Sequence, residues 1–289
     1  MTLLKVVILA IVQGLAELLP VSSSAHVVVA EKLLGLDPSA PPMTLLLVML
    51  HTGTMFAVIA YFWPQWRATY FQSAAAFRRI AALIIVATLC TAVIGEGIVK
   101  LIEKTVFRNV PHAQIEDLFA HLEFIAPALA AAGVLIVIAG AFGNRHPSGA
   151  LTAANDLSAL RAGVIGAVQG LCLPFRGFSR SGATISAALL LGVARSRAEA
   201  FSFALAAVLT PPVVVREALR LVHAAHAPGA ADLASVALLT VLGAVLAFLA
   251  GLLALRWLSR WLEAGRWYFF GIYCLAAAAG VAWLHYAGY

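Results

Sequence analysis

Charge is scarce in this chain. Asp, Glu, Lys and Arg together make up only 11% of its 289 residues, against 63% hydrophobic ones. Too few charged side chains remain to coat even one water-soluble domain, and a mean hydropathy of +0.97 lies far outside the soluble range, so a water-soluble enzyme is excluded. Cysteine is nearly absent too. Cys90, Cys172 and Cys274 sit far apart inside apolar stretches, which excludes a disulfide framework or a zinc cluster and leaves them as packing residues. Acidic residues are the rarer sign, 13 against 19 basic, for a net charge of +6. The basic residues are scattered through short connections, where they orient a membrane protein rather than form a nucleic-acid surface.

Long hydrophobic runs are what the sequence has in abundance. A helix needs roughly 20 apolar residues to cross a hydrocarbon core of about 30 Å. Six segments meet that length: Thr44 to Trp63, Ile80 to Glu103, Phe124 to Phe142, Ala200 to Val222, Leu233 to Trp257 and Trp267 to Leu284. Trp63, Trp66, Trp257, Trp261, Trp267 and Tyr268 mark their ends, at the level where amphipathic rings meet headgroups. The first apolar stretch, Leu3 to Leu19, holds Gln13 and Glu17 and no small-residue cleavage site follows it, so it reads as structure and not as a cleavable leader.

Two further apolar regions are interrupted. Leu3 to Leu36 is broken at Pro20-Val21-Ser22-Ser23-Ser24, and Ala159 to Val193 is broken between Pro174 and Ser181. Each half is too short to span, and irregular backbone at membrane depth is tolerated only when buried in protein or lining a wet cavity. Both regions therefore read as re-entrant hairpins around a cavity. Both also begin alike, with Val12-Gln13-Gly14-Leu15 matched by Val168-Gln169-Gly170-Leu171. Each half then holds one hairpin and three spans, an odd number of crossings, so the second copy inserts upside down. The expected fold is an all-α polytopic membrane protein: six transmembrane helices plus two re-entrant hairpins in an inverted-topology repeat. It forms a single membrane domain over residues 1–289, with repeats at 1–143 and 157–289. Placing Arg67, Arg78 and Arg79 in the cytoplasm brings Arg145, Arg161, Arg195, Arg197, Arg256, Arg260 and Arg266 with them, and leaves fewer basic residues, Arg108 among them, on the other side. The hairpins then enter from opposite faces, and both chain termini lie outside.

The breaks carry the chemistry. The first supplies Gln13, Glu17, Ser22, Ser23, Ser24 and His26, with Gln13 and Glu17 four apart on one helical face. The second supplies Arg176, Ser179, Arg180, Ser181 and Thr184. Each break is followed by a helix that starts near its own serines, so two positive helix N-termini face one interior point. With two guanidiniums able to bind phosphate oxygens, this is a site for a multiply charged phosphate. A lone serine in a membrane helix is as often a helix-packing hydrogen bond as a catalyst. An intramembrane arginine costs at least about 2.5–3.5 kcal/mol, which argues that Arg176 or Arg180 binds an anion. Glu17 reads as the counter-ion of Arg180, or as a metal ligand or general base. His51 reads equally as a packing residue or a site residue.

At these residues the sequence resembles the undecaprenyl-diphosphatase family, also called the bacitracin-resistance family. The matching stretches are Gly14-Leu15-Ala16-Glu17-Leu18-Leu19-Pro20-Val21-Ser22-Ser23-Ser24-Ala25-His26 and Gly177-Phe178-Ser179-Arg180-Ser181-Gly182-Ala183-Thr184, supported by Leu50 to Val58 and by Phe201-Ser202-Phe203 with Pro211 downstream. The resemblance implies hydrolysis of undecaprenyl diphosphate to the monophosphate at the periplasmic face of the bacterial inner membrane, which recycles the lipid carrier of cell-wall synthesis. It implies a divalent cation, Mg²⁺ or Ca²⁺, with Glu17 as the second glutamate of the family's paired-glutamate motif, a catalytic residue and metal ligand, Ser23 as nucleophile and His26 as acid or base. It also implies that Ser179, Arg180 and Thr184 bind the diphosphate, beside bilayer lipids as surroundings and a homodimer by family analogy.

Two positions depart from the family pattern. Gln13 stands where the family has the first of two glutamates, and Arg176 stands where a proline is usual, with Pro174 two residues earlier. The second change sets an additional cation beside the substrate, in partial replacement of metal charge. The Ser-Arg, His, Asp spacing of acid-phosphatase-like lipid phosphatases would need His and Asp at Ser186 and Leu190, so that mechanism is excluded. Attack by Ser23 with His26 taking its proton and attack by water both remain open. A polyprenyl-phosphate transporter or flippase using the same anion site is the competing reading.

Overall fold

The computed structural model describes residues 2–36, 41–105, 122–143, 157–225 and 234–287. Among these residues the chain forms ten helices and no strand. They are α1 (Leu3–Leu18), α2 (Ser23–Leu33), α3 (Pro41–Thr69), α4 (Ala74–Thr105), α5 (Leu122–Phe142), α6 (Ala159–Cys172), α7 (Arg180–Leu190), α8 (Arg195–Ala225), α9 (Ala234–Glu263) and α10 (Tyr268–Tyr286).

Local chemistry sets the two breaks. Pro20 pushes Leu19 into extended backbone (φ −73°, ψ 151°), and α1 stops one residue after Glu17. Ser179 restarts the chain as α7 by accepting a hydrogen bond from the Gly182 amide at 3.2 Å. Before it, Gly177 takes φ +104°, and a side chain there would also strike the Ile125 carbonyl of α5, so only glycine fits this tip. At about 1.5 Å per residue, none of α1, α2, α6 and α7 (16, 11, 14 and 11 residues) reaches the ~30 Å of a bilayer core.

Among the described residues, five helices are long and apolar enough to cross a membrane: Met43–Thr69, Ala74–Thr105, Glu123–Phe142, Leu238–Glu263 and Tyr268–Tyr286. They belong to α3, α4, α5, α9 and α10. The expected span from Ala200 to Val222 lies in α8, a continuous helix of 31 residues. It is not one of those five, and its second half carries Pro211, Pro212, Arg216 and Arg220. Arg108, Arg145 and the expected start of a span at Leu233 lie outside the described residues. The exposed faces are apolar: Ile85, Leu89 and Val93, spaced by four along α4, are 58%, 60% and 70% accessible, a stripe unsuited to water and suited to a bilayer. This is an integral membrane protein.

Four helix pairings are reciprocal between the halves, although α3 also packs closely along α9 while α8 meets α4 at only a few residues. α1 packs along α9 while α6 packs along α4, and α5 lies against α10 and α3 against α8. Exchanging α1–α5 for α6–α10 maps each of these pairs onto another pair or onto itself. The repeated Gln-Gly pair explains the first two. A side chain at Gly14 would meet Ala247 and Ala250 of α9, and one at Gly170 would meet Thr91 and Gly95 of α4, so the missing side chains let each hairpin helix lie against its neighbour. Gly170→Leu is therefore expected to overpack α4 and α6 at about 1–3 kcal/mol, read as a lower melting temperature in detergent. Gly97→Leu, which meets nothing within 4 Å, leaves the melting temperature unchanged.

Candidate phosphate site

The site forms where α1 ends and where α2 and α7 begin. Because Pro20 stops α1 just beyond Glu17, the Glu17 carboxylate faces back across the break toward Ser23, the first residue of α2. The Ser23 hydroxyl donates to Glu17 Oε2 at 2.6 Å. From the other hairpin, Arg180, the first residue of α7, donates from Nη2 to Glu17 Oε1 at 3.0 Å. A third donor is Gln13 Nε2, which lies one turn back along α1 and 3.1 Å from Glu17 Oε2. Both oxygens of one carboxylate thus join the two hairpins. Its side chain is only 15% exposed and that of Arg180 25%, so water screens the pair weakly.

The hydroxyl groups sew the two tips together. Ser181 donates to the Leu19 carbonyl at 3.3 Å, and the Gly177 amide donates to Ser24 Oγ at 3.4 Å. Ser22 and Ser24 share a hydrogen bond of 3.3 Å, with Ser22 at φ +67°, a backbone conformation that non-glycine residues rarely adopt. Between the tips lies a cavity of about 220 Å³ lined by Glu17, the three serines Ser22 to Ser24, Arg176 and the run Ser179 to Ser181. Its size suits a phosphate headgroup and not a lipid chain.

Not every residue singled out in the sequence faces this cavity. Gln13 is buried and acts through Glu17. Thr184 is fully buried, bonded to the Arg180 carbonyl at 2.8 Å and to Ser202 of α8 at 2.6 Å, so it braces α7 from behind. His51 donates from Nδ1 to the Leu47 carbonyl at 2.8 Å and holds Nε2 3.8 Å from Glu17 Oε2, too far for a hydrogen bond but near enough to act on its charge. His26 is turned away from Ser23. Its Nδ1 donates to the Ser22 carbonyl at 2.8 Å and its Nε2 accepts from the Tyr273 hydroxyl of α10 at 2.7 Å, with the two rings stacked. A neutral imidazole so bonded has both nitrogens engaged. Tyr273 itself gave no signal in the sequence, because 247 residues separate it from His26.

Among the described residues, no group of three or more His, Cys, Asp or Glu side chains is placed to hold a metal ion. The cavity offers one carboxylate, Glu17, with the Ser23 hydroxyl bonded to it. A protein-only metal cage does not fit this set. It does fit the mode in which Mg²⁺ is held by one or two carboxylates together with the phosphates of its substrate.

A family model described as bacitracin resistance protein BacA matches residues 6–280. The chain is 58% identical over 279 residues to a protein named undecaprenyl-diphosphatase 2 from Acinetobacter baylyi, an alignment covering 96% of this chain and 95% of that one. It is 34% identical over 293 residues to an undecaprenyl-diphosphatase of Gluconacetobacter diazotrophicus, again covering 96% and 95%. A third relative, an undecaprenyl-diphosphatase of Rhodopirellula baltica, is 31% identical over 283 residues, with 98% of each chain covered.

Proposed function

Because the chain belongs to the bacitracin-resistance (BacA) family, we propose that it hydrolyses undecaprenyl diphosphate to undecaprenyl phosphate and inorganic phosphate. The observation that carries this reading is the cluster of Glu17, Ser23 and Arg180, an acceptor, a hydroxyl and a guanidinium held by two hydrogen bonds at the mouth of two helix N-termini. An apolar groove of about 350 Å³ begins at Ala25 and His26, one turn of α2 beyond the serines, and runs over Val29, Leu129, Val281 and Leu284. It supports a substrate with an anionic head and a hydrocarbon tail.

In the resting site Arg180 is paired with Glu17. A diphosphate entering the cavity competes for that guanidinium, and its terminal oxygens take over the Arg180 donors. Glu17 is then left as a carboxylate hydrogen-bonded to Ser23, positioned to receive the Ser23 proton. Attack of Ser23 Oγ on the terminal phosphorus forms a Ser–O–P bond as the bridging P–O bond breaks. Undecaprenyl phosphate leaves with the electron pair, and its new charge is met by the N–H groups at the start of α2 and α7. Glu17 passes that proton to the departing lipid phosphate; water then attacks the phosphoserine and gives a proton to Glu17, which hands it to the Ser23 oxygen as the Ser–O–P bond breaks and inorganic phosphate leaves. A divalent cation arriving with the diphosphate and held by Glu17 would add positive charge against the phosphoryl oxygens. Arg176, which also lines the cavity, contributes a further cation there.

His26 then serves as a brace between α2 and α10, and Gln13 fixes the rotamer of Glu17 where the family pattern has a second carboxylate. The six-crossing, two-hairpin inverted repeat, with repeats at 1–143 and 157–289, is supported by the reciprocal helix pairing and by the Gln13 and Gln169 sequence match. A cavity on the periplasmic side of the inner membrane is supported by the arginine-rich connections at the opposite ends of the helices. The names of the relatives favour hydrolysis over transport.

Ser23 is tested by rapid acid quench of the purified protein with terminally ³²P-labelled diphosphate. The expected result is a labelled phosphoserine at position 23 and its absence in Ser23→Ala, with turnover reduced at least about a hundredfold. Substantial turnover by Ser23→Ala, with no labelled serine in the wild type, assigns the attack to water.

A further inference from the structure

A second cavity, of about 250 Å³, lies at the far end of α3 from the hydrolytic centre. His51 sits beside Glu17, and Gln65, which lines the second cavity, follows fourteen residues later on the same helix, a rise of roughly 21 Å. The two cavities are therefore near opposite faces of the membrane. Trp63, Phe71 and Phe77, all exposed, stack beside the second one at the level of a headgroup belt.

Its chemistry differs from that of the first. Arg79 from α4 and Arg197 from α8 both line it, as do Tyr70 and Gln72, and among the described residues no carboxylate lines it. Arg79 Nη2 donates to the Leu157 carbonyl at 3.3 Å, which ties its side chain to the start of α6. Gln65 Nε2 donates to the Ser196 carbonyl at 3.2 Å, and Trp66 Nε1 to the Ala200 carbonyl at 3.2 Å, so the end of α3 is docked on the start of α8 and the cavity walls are fixed. Burial pushes the Tyr70 hydroxyl up to about 12 despite nearby Arg197, so at neutral pH it remains an O–H donor. The inner wall is apolar, with Ile80 and Leu83 buried against it. Two guanidiniums from different helices, a phenol donor and an adjoining apolar wall match an oxyanion attached to a hydrocarbon chain.

We propose that this cavity binds the phosphate head of a lipid phosphomonoester, with Arg79 and Arg197 on the phosphate oxygens and Ile80 and Leu83 against the first carbons of the chain. Among the described residues that line it there is neither a carboxylate nor a serine, and the Thr69 hydroxyl donates to the Gln65 carbonyl at 2.7 Å, so the proposed role is binding and not cleavage. The inference does not depend on the hydrolytic reading of the first site. It gives the protein two phosphate sites, one toward each face of the bilayer, and the second is open to occupation by lipid phosphates of the opposite leaflet.

The test counts bound ligands by native mass spectrometry of the full chain in detergent, with farnesyl phosphate, farnesol or inorganic phosphate as probes. Farnesyl phosphate is expected to bind twice to the wild type and once to Arg180→Ala, which impairs the first site. Adding Arg79→Ala and Arg197→Ala to Arg180→Ala removes the remaining ligand, with at least a tenfold loss of affinity, while farnesol binds none of them specifically. Displacement of farnesyl phosphate from Arg180→Ala by equimolar inorganic phosphate assigns the same site to the free ion, and failure to displace it assigns it to the lipid. Because Arg79 also braces α6, Arg197→Gln with Tyr70→Phe in the Arg180→Ala background carries the same test without disturbing that contact. Retained diphosphate hydrolysis by Arg197→Gln alone shows that the fold is intact. Unchanged farnesyl phosphate binding in both combinations overturns the proposal.

Discussion

Glu17→Gln is expected to lower the turnover of diphosphate by about 10²–10⁴-fold, the range that a positioned general base contributes. The carboxylate accepts from Ser23 at 2.6 Å and from Arg180 at 3.0 Å, so it is both the acceptor of the Ser23 proton and the group that holds Arg180 at the cavity. Glutamine keeps the shape and one acceptor oxygen but is far less basic, and its amide nitrogen faces Ser23 or Arg180 with the wrong polarity. The loss should therefore fall on kcat more than on KM, because the arginines and helix N-termini that attract the diphosphate remain. Steady-state phosphate release by the purified variant, with circular dichroism to confirm helicity, measures it. A variant with near-normal kcat would remove Glu17 from the proton path.

Arg180→Lys is expected to cost about 10²–10³-fold in kcat, the scale for losing one preorganised donor to a developing oxyanion. The charge is conserved, so electrostatics alone predicts little change. Geometry predicts more: a guanidinium presents several N–H donors in a fixed plane and can hold Glu17 while turning others toward phosphate, whereas an ammonium is a single point that must choose. Lysine is also shorter in its hydrogen-bonding reach across the 3.0 Å contact between the hairpins. Arg180→Ala should be worse, since Glu17 then loses its cationic partner in a site only 15% exposed. The comparison of Lys with Ala separates charge from fork geometry, and kinetics with a soluble short-chain diphosphate is sufficient to read it.

Much of this was legible in the sequence, and for identifiable reasons. Scarcity of charge named the solvent, since hydrocarbon tolerates few ions. The prolines and serines of the two breaks named the hairpins because Pro20 and Gly177 act on their own backbone, independently of any partner. The charges left at those breaks, Glu17 and Arg180, do meet in space, at 3.0 Å. The less legible features depend on distant neighbours. Spacing by three placed His26 beside Ser23, but the imidazole is held by Tyr273 of α10 and Ser23 by Glu17 of α1, partners that helical periodicity cannot show. Thr184 sits one turn into α7, and only the packing of α8 decides that its hydroxyl points at Ser202 and away from the cavity. Gln13 looked like a lost ligand and is in place a donor to Glu17.

If the carboxylate, hydroxyl and guanidinium joined across the two hairpins cleave a phosphoanhydride, the purified protein releases phosphate and Glu17 controls the rate. The most direct measurement is phosphate release from undecaprenyl diphosphate by the purified full-length protein in detergent, run beside Glu17→Gln with Mg²⁺ or with chelator. The account predicts sustained release by the wild type with Mg²⁺, at least about a hundredfold less by Glu17→Gln, and little from either when the divalent ion is removed. Lipid binding without phosphate release, or release that Glu17→Gln does not slow, would contradict it.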